Sequence, residues 1–172
     1  LKDSSNYNLT EELFQSLSIP LYNFLYNILK NKHDAEDIVA DTFVRILEIV
    51  YVDGKVPNKP LCFTIARNLA IDFLRRKKKV SYDSVAIEGM QITDDLDVFE
   101  EVNKMFEEND VDGLIKQLPE VYANIFYLRF YHDLSFKEIG DIMEFSENNA
   151  RVMYFRARNK LKKILTTQKE GK

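Results

Sequence analysis

Residues 151–172 hold eight Lys or Arg against one acidic residue, and Arg151, Arg156, Arg158, Lys160, Lys162 and Lys163 crowd one helical stretch. A helix is about as wide as the DNA major groove, so a protruding basic helix can set its first turns against base edges while flanking cations hold phosphates. Asn148, Asn149, Arg151, Val152, Phe155, Arg156 and Arg158 are the candidates for that contact. Lys160, Lys162 and Lys163 read as backbone clamps or as solvated charge. Basic residues also suit any helix C-terminus, so the run alone reads better as a solvated face. What precedes it shifts the balance. Ser135 and Glu138 have the spacing of a capping box, Ser146 stands where a second helix would begin, and Gly140 stands where two helices could approach closely. A short capped helix, a tight turn and a basic capped helix make a helix-turn-helix.

A second basic run, Arg75 to Lys79, follows Phe63, Arg67, Asn68, Asp72 and Phe73. Cations hold a nucleic-acid backbone, and aromatic or amide side chains can catch unstacked bases. Phe63 and Phe73 in the core and a solvated lysine run would explain the same residues. Asp37, Asp41, Val44 and Glu48 lie at helical spacing as an acidic stripe, which reads as a solvent face or as a docking surface for a basic partner.

The elements that must carry these groups are helical throughout. Thr10 to Lys30 places Leu13, Leu17, Leu21, Phe24, Leu25 and Ile28 on one side, with a kink or break expected at Pro20. Asp34 is the expected N-cap of a second helix whose inner stripe is Ala35, Ile38, Val39, Thr42, Phe43, Ile46, Leu47 and Val50. Asp53 to Pro60 reads as a loop. A third helix is expected from Leu61 to Lys78, with Ile65, Leu69 and Phe73 inward and Ala66 and Ala70 at close contacts. The pattern lapses from Val80 to about Thr93. A fourth helix is expected over Leu96 to Leu118, broken near Asp110 to Gly113. Another runs from Pro119 to about Tyr131, and the helix-turn-helix follows, ending near Leu165. Its inward positions are Leu134, Ile139, Ile142, Met143, Phe145, Ala150 and Val152 or Met153. The fold class is all-α: two small helical domains, 1–80 and 96–169, joined by an acidic linker, 81–95.

Composition agrees. The chain has 172 residues, of which 45% are hydrophobic and 30% charged, too apolar for a disordered chain. Its net charge of −4 conceals an asymmetry: residues 81–120 carry 2 basic and 12 acidic groups, while residues 151–172 carry 8 and 1. Local charge is what a polyanion meets within a Debye length. Cys62, His33 and His132 are too few and too scattered for a disulfide framework or a zinc site. Cys62 reads as a buried apolar residue, and the histidines as structural. A reducing cytoplasm is the default compartment. There is no Gly-rich phosphate loop, no nucleophile beside a base and no apolar run of membrane-span length. Glu11 and Glu12 occupy what would be the core of a signal peptide. No enzyme activity, cofactor, metal, small-molecule substrate or direct membrane insertion is expected. A chain that opens on Leu1 is expected to be a piece of a longer one.

Three stretches together resemble the extracytoplasmic-function (ECF) class of bacterial RNA polymerase sigma factors. Asp34-Ala-Glu-Asp-Ile-Val-Ala-Asp-Thr-Phe43 is similar to the family's core-polymerase-binding helix. Ile65-Ala-Arg-Asn-Leu-Ala-Ile-Asp-Phe-Leu-Arg-Arg76 resembles its melting and minus-ten-element helix. Leu118-Pro-Glu120, Leu134-Ser-Phe-Lys-Glu-Ile-Gly140 and Phe155-Arg-Ala-Arg158 resemble the domain that reads the minus-thirty-five element. The resemblance covers roughly residues 10–165. It implies a sigma region 2-like bundle and a sigma region 4-like helix-turn-helix, and promoter-specific initiation with core RNA polymerase. Glu36, Asp37, Ala40, Asp41 and Val44 would dock on the clamp helices of the polymerase largest subunit. Asn68, Asp72, Arg75, Arg76 and Lys77, with the Val50–Pro60 loop, would take the minus-ten element and an unstacked base of it. Arg151, Val152, Phe155 and Arg156 would face the minus-thirty-five element, and the acidic linker would pass near the active-site and RNA-exit channels. An anti-sigma protein is the implied regulator and could hold the chain at the membrane. The sequence departs from the family where Ala40 replaces Gln, Cys62-Phe63 replaces Trp, Glu144 replaces the turn Gly, and Glu147-Asn148-Asn149-Ala150 replaces Val-Gly-Thr-Val. The alternative from the residues alone is a stand-alone helix-turn-helix regulator that binds operator DNA without polymerase. A protein-binding helical adaptor is the third reading.

Overall fold

The computed structural model describes residues 2–78, 104 and 110–171, and every regular element among them is a helix. The chain divides into two units, Leu1–Ser84 and Val85–Lys172. The expected linker, 81–95, and most of the expected fourth helix lie outside the described residues.

The first unit is a three-helix bundle of α1 (Lys2–Leu29), α2 (Lys32–Asp53) and α3 (Lys59–Lys78). Helix α1 starts well before Thr10 and continues through Pro20 without a break. The proline leaves the Ser16 carbonyl without its usual donor, but Ser16 is exposed, where water can serve. Leu17, Leu21, Phe24 and Leu25 are buried on both sides of the proline and hold the helix to its neighbours. The chain then reverses in two residues. Lys30 is left-handed (φ 53°) and its N–H donates to the Tyr26 carbonyl (2.9 Å). Asn31, not Asp34, is the N-cap of α2: its Oδ1 accepts from the Asp34 N–H at 3.0 Å. Asp34 falls in the first turn instead because the reversal is so short.

Helix α2 ends at Gly54, whose φ of 64° places it in the left-handed region that glycine adopts without penalty. Its N–H donates to the Val50 carbonyl at 2.9 Å. The loop is therefore shorter than the expected Asp53–Pro60. Asn58 Oδ1 accepts from the Leu61 N–H (3.0 Å), and Pro60 lies in the first turn of α3. The buried face of α3 is Cys62, Phe63, Ala66, Ala70 and Ile71. Ile65, Leu69 and Phe73, the expected stripe, are only half-buried. The small Ala66 and Ala70 are fully buried, as expected of close contacts. Phe63 meets Phe24 edge-to-face at 5.2 Å between centroids. Cys62 is buried, and desolvation pushes its thiol up to about 11, so it packs as an apolar residue.

The second unit contains α4 (Val111–Ile115), α5 (Glu120–Phe130), α6 (Phe136–Met143) and α7 (Glu147–Glu170). Of the expected Leu96–Leu118 helix, the described C-terminal part is the short α4, capped by Asp110 Oδ1 accepting from the Gly113 N–H at 3.2 Å. Ile125, Phe126 and Leu128 of α5 pack with Ile139 and Ile142 of α6 and Ala157 and Leu161 of α7, all fully or almost fully buried. The inner stripe of α7 ends at Leu161 and Leu165, and the helix continues past its expected end to Glu170 with exposed residues.

Candidate nucleic-acid interface

The helix-turn-helix is α6, its turn and α7. Ser135 Oγ accepts from the Glu138 N–H (3.2 Å), and Glu138 Oε2 accepts from the Ser135 N–H (2.8 Å). Both bonds satisfy donors that a helix start leaves open, and they hold the Glu138 carboxyl below its ordinary range. Glu144 closes α6 in the left-handed region, at φ 61°. The Phe145 N–H then donates to the Gly140 carbonyl at 2.8 Å. A Cβ on Gly140 would stand 2.6 Å from the Phe145 carbonyl oxygen, so only glycine fits this turn. Ser146 Oγ accepts from the Asn149 N–H (3.1 Å) and starts α7.

The seven candidates on α7 divide by exposure. Asn148 is exposed, and Asn149, Arg151, Phe155 and Arg156 are half-buried. Asn148, Arg151 and Phe155 are three and four residues apart, which aligns them on one side of a helix. Val152 and Arg158 face inward, at 6% and 5% exposure, where a base or phosphate cannot reach them without repacking. Arg158 lies over the rings of Tyr154 (5.8 Å) and Phe155 (5.9 Å), and its burial lowers the guanidinium pKa. Val152 and Met153 are both buried, where one of them was expected to be.

Arg151 is held from two sides. Its Nη2 lies 3.5 Å from Glu147 Oε1, and its guanidinium lies over the Phe136 ring at 5.3 Å. The Glu147 partner was legible as a Glu-to-Arg spacing of four. Phe136 was not, since its contact is made across the turn. Lys160 lies over Tyr122 at 5.5 Å, while Lys163 is exposed and Lys162 half-buried.

In the first unit, Asn68, Asp72, Arg75, Arg76 and Lys77 are all exposed. Asn68, Asp72, Arg75 and Arg76 follow helical spacing along α3. Asp72 draws the arginines together: its carboxylate is 3.6 Å from Arg75 Nη1, and its carbonyl accepts from Arg76 Nε at 3.4 Å. Lys77 Nζ donates to Asp34 Oδ2 (2.7 Å) and lies over Phe73 (5.3 Å). Phe63 is fully buried and Arg67 is 9% exposed, so neither lies open to a base.

Glu36, Asp37, Ala40, Asp41 and Val44 are exposed along α2. The face turns apolar toward the C-terminal end, where Val44, Leu47, Tyr51 and Val52 are between 52% and 92% exposed. Leu47 was expected inside. Large exposed apolar groups beside carboxylates suit a protein surface better than they suit a polyanion.

Among the described residues, no group of His, Cys, Asp and Glu is placed to hold a metal ion, and no helix is long and apolar enough to cross a membrane.

Comparison with known proteins covers both units. Residues 13–80 match the family "Sigma-70 region 2", and residues 108–161 match "Sigma-70, region 4". The chain is 30% identical over 166 residues to the ECF RNA polymerase sigma factor SigM of Bacillus subtilis (strain 168), covering 90% of this chain and 93% of that protein. It is 28% identical to the ECF RNA polymerase sigma factor SigW of the same organism, covering 84% of this chain and 82% of that protein. In fold it is similar to the sigma factor RpoE from Bartonella quintana, solved in complex with the anti-sigma factor NepR. The TM-score is 0.62 at 20% identity, over 91% of this chain and 96% of that one. Two matched regions in the order of the two units, and relatives aligned over nearly the whole length, place the chain in the family of ECF RNA polymerase sigma factors.

Proposed function

We propose that the chain binds core RNA polymerase and directs it to initiate at a particular class of promoter. Its role is to recruit and position, not to catalyse. The exposed acidic-to-apolar face of α2 carries this reading, because a stand-alone operator-binding protein has no use for such a face on a separate unit. Glu36, Asp37, Ala40, Asp41 and Val44 are the polymerase-facing group. Asn68, Asp72, Arg75, Arg76 and Lys77 on α3 take the minus-ten element. Asn148, Asn149, Arg151, Phe155 and Arg156 on α7 meet the minus-thirty-five element. Residues 1–80 and 96–169 act as two DNA-facing domains joined through 81–95. The site of action is the cytoplasm, where an anti-sigma factor restrains the protein until a signal releases it.

The test pairs the two surfaces. Promoter DNA is shifted on a gel with the protein alone and with protein plus core polymerase. The sigma reading predicts a specific shift only with polymerase. Asp37→Arg weakens capture of core enzyme, and Arg151→Ala weakens upstream recognition on polymerase by about 1–3 kcal/mol if the contact to a base is bidentate. A tight, specific shift without polymerase would point instead to a stand-alone regulator.

A further inference from the structure

Arg151 is one of the two arginines at the reading end of α7, and two neighbours restrict it. Glu147 lies beside one edge of the guanidinium at 3.5 Å. The Phe136 ring lies against it at 5.3 Å. The same ring receives a second guanidinium, that of Arg129, at 5.0 Å. Arg129 is itself fixed, since its Nη1 donates to the Leu134 carbonyl at 2.9 Å, immediately before the Ser135 cap. The buried Tyr154 packs on Phe136 with centroids 5.6 Å apart. A single aromatic ring therefore joins the end of α5, the start of α6 and the reading side of α7.

A free arginine side chain has many rotamers, and ordering them opposes binding. The Phe136 ring and Glu147 limit the rotamers open to Arg151, and the guanidinium N–H groups not turned to Glu147 remain for a bidentate contact to a guanine. We infer that Phe136 is a positioning residue for promoter recognition, orienting Arg151 before DNA arrives. The inference rests on the reading of Arg151 as an upstream-element contact. Arg129 meets the same ring while its Nη1 is engaged with the Leu134 carbonyl.

The test uses the full chain with core polymerase on templates that share the start site of a transcript induced by the protein, with the upstream element randomised. The readout is selectivity, the ratio of initiation from the best templates to the median. Arg151→Ala is scored first; if it leaves selectivity intact, the role of Arg151 fails and the inference falls with it. Given a loss there, Phe136→Leu is expected to lower selectivity about two- to fivefold, the range for an exposed cation–π contact. Phe136→Tyr, which keeps the ring, is expected to retain it. In an Arg151→Ala background, Phe136→Leu should add no further loss. An unchanged selectivity, or an equal loss in that background, overturns the proposal. A second measurement avoids the Leu variant, which could disturb packing. In the free protein, the Arg151 Nε–Hε signal, identified by its absence in Arg151→Ala, should be shifted upfield from those of the exposed Arg45 and Arg75, whose ion pairs are made through Nη1. A position among theirs also overturns the proposal.

Discussion

Replacing Gly140 with alanine should open the helix-turn-helix and leave the three-helix unit untouched. The added Cβ would lie 2.6 Å from the Phe145 carbonyl oxygen and 3.4 Å from both the Glu147 nitrogen and the Ser146 carbonyl carbon. The nearest atom is backbone, so no side-chain rotation can relieve the contact. The turn must move by about 0.8 Å to restore an ordinary contact distance of 3.4 Å. Overpacking of this kind costs about 1–3 kcal/mol. Stretching the 2.8 Å bond from the Phe145 N–H to the Gly140 carbonyl adds about 0.5–1.5 kcal/mol. Alanine returns about 1 kcal/mol through its better helix propensity. The net is a loss of roughly 0.5–3.5 kcal/mol, centred near 2, in the second unit. Amide hydrogen exchange read by mass spectrometry reports it directly: protection of α6 and α7 peptides should fall roughly ten- to hundredfold, with α1–α3 peptides as the internal control. Unchanged protection in α6 and α7 would mean that the helices do not approach as described, and the argument for a helix-turn-helix from Gly140 would fail.

The remaining expectations use the same physics elsewhere. Glu144→Gly should stabilise the second unit by about 1 kcal/mol, since it removes a side chain from a φ of 61°; a lower melting temperature would show that the Glu144 side chain contributes more than the strain costs. Asn31→Ala should lower the stability of the first unit by about 0.5–2 kcal/mol, because it removes the acceptor for the Asp34 N–H, and denaturant unfolding would measure it. Glu138 titrates below its ordinary value in the folded chain. The capping box should therefore contribute its full stability above the unfolded carboxylate range and lose it as pH falls through the lowered folded value. In Glu138→Gln that acid-side loss, followed by amide signals of α6, should disappear. Lys77→Ala should change stability by under about 1 kcal/mol, and less at high salt, because its ion pair with Asp34 is exposed.

The local signals in the sequence were the most legible. Ser135 and Glu138 specify their reciprocal bonds within four residues, and Ser146 and Gly140 act over distances almost as short. Errors arose where a boundary depended on tertiary contact. Pro20 breaks a helix on propensity alone, yet buried leucines on either side carry α1 through it. Asp34 and Asn31 are both competent caps, and the left-handed Lys30 decides between them. The inward face of α3 was legible in part: Ala66 and Ala70 are buried where close contacts were expected, while the larger Ile65, Leu69 and Phe73 are only half-buried. The candidate sites were legible as faces but not residue by residue. Charge placed Arg158 outward, whereas the rings of Tyr154 and Phe155 hold it inside. Phe136 carried no signal that pointed to Arg151, since their contact exists only once the turn has formed.

The central claim is that this chain works on polymerase. Its most direct test is transcription reconstituted from purified core RNA polymerase, the protein and genomic DNA fragments, with transcript 5′ ends mapped. The 5′ ends are expected to cluster at a few sites that share sequence near minus ten and minus thirty-five, present only when the protein is added and lost with Asp37→Arg. Failure to associate with core enzyme, or initiation no different from core enzyme alone, would contradict it.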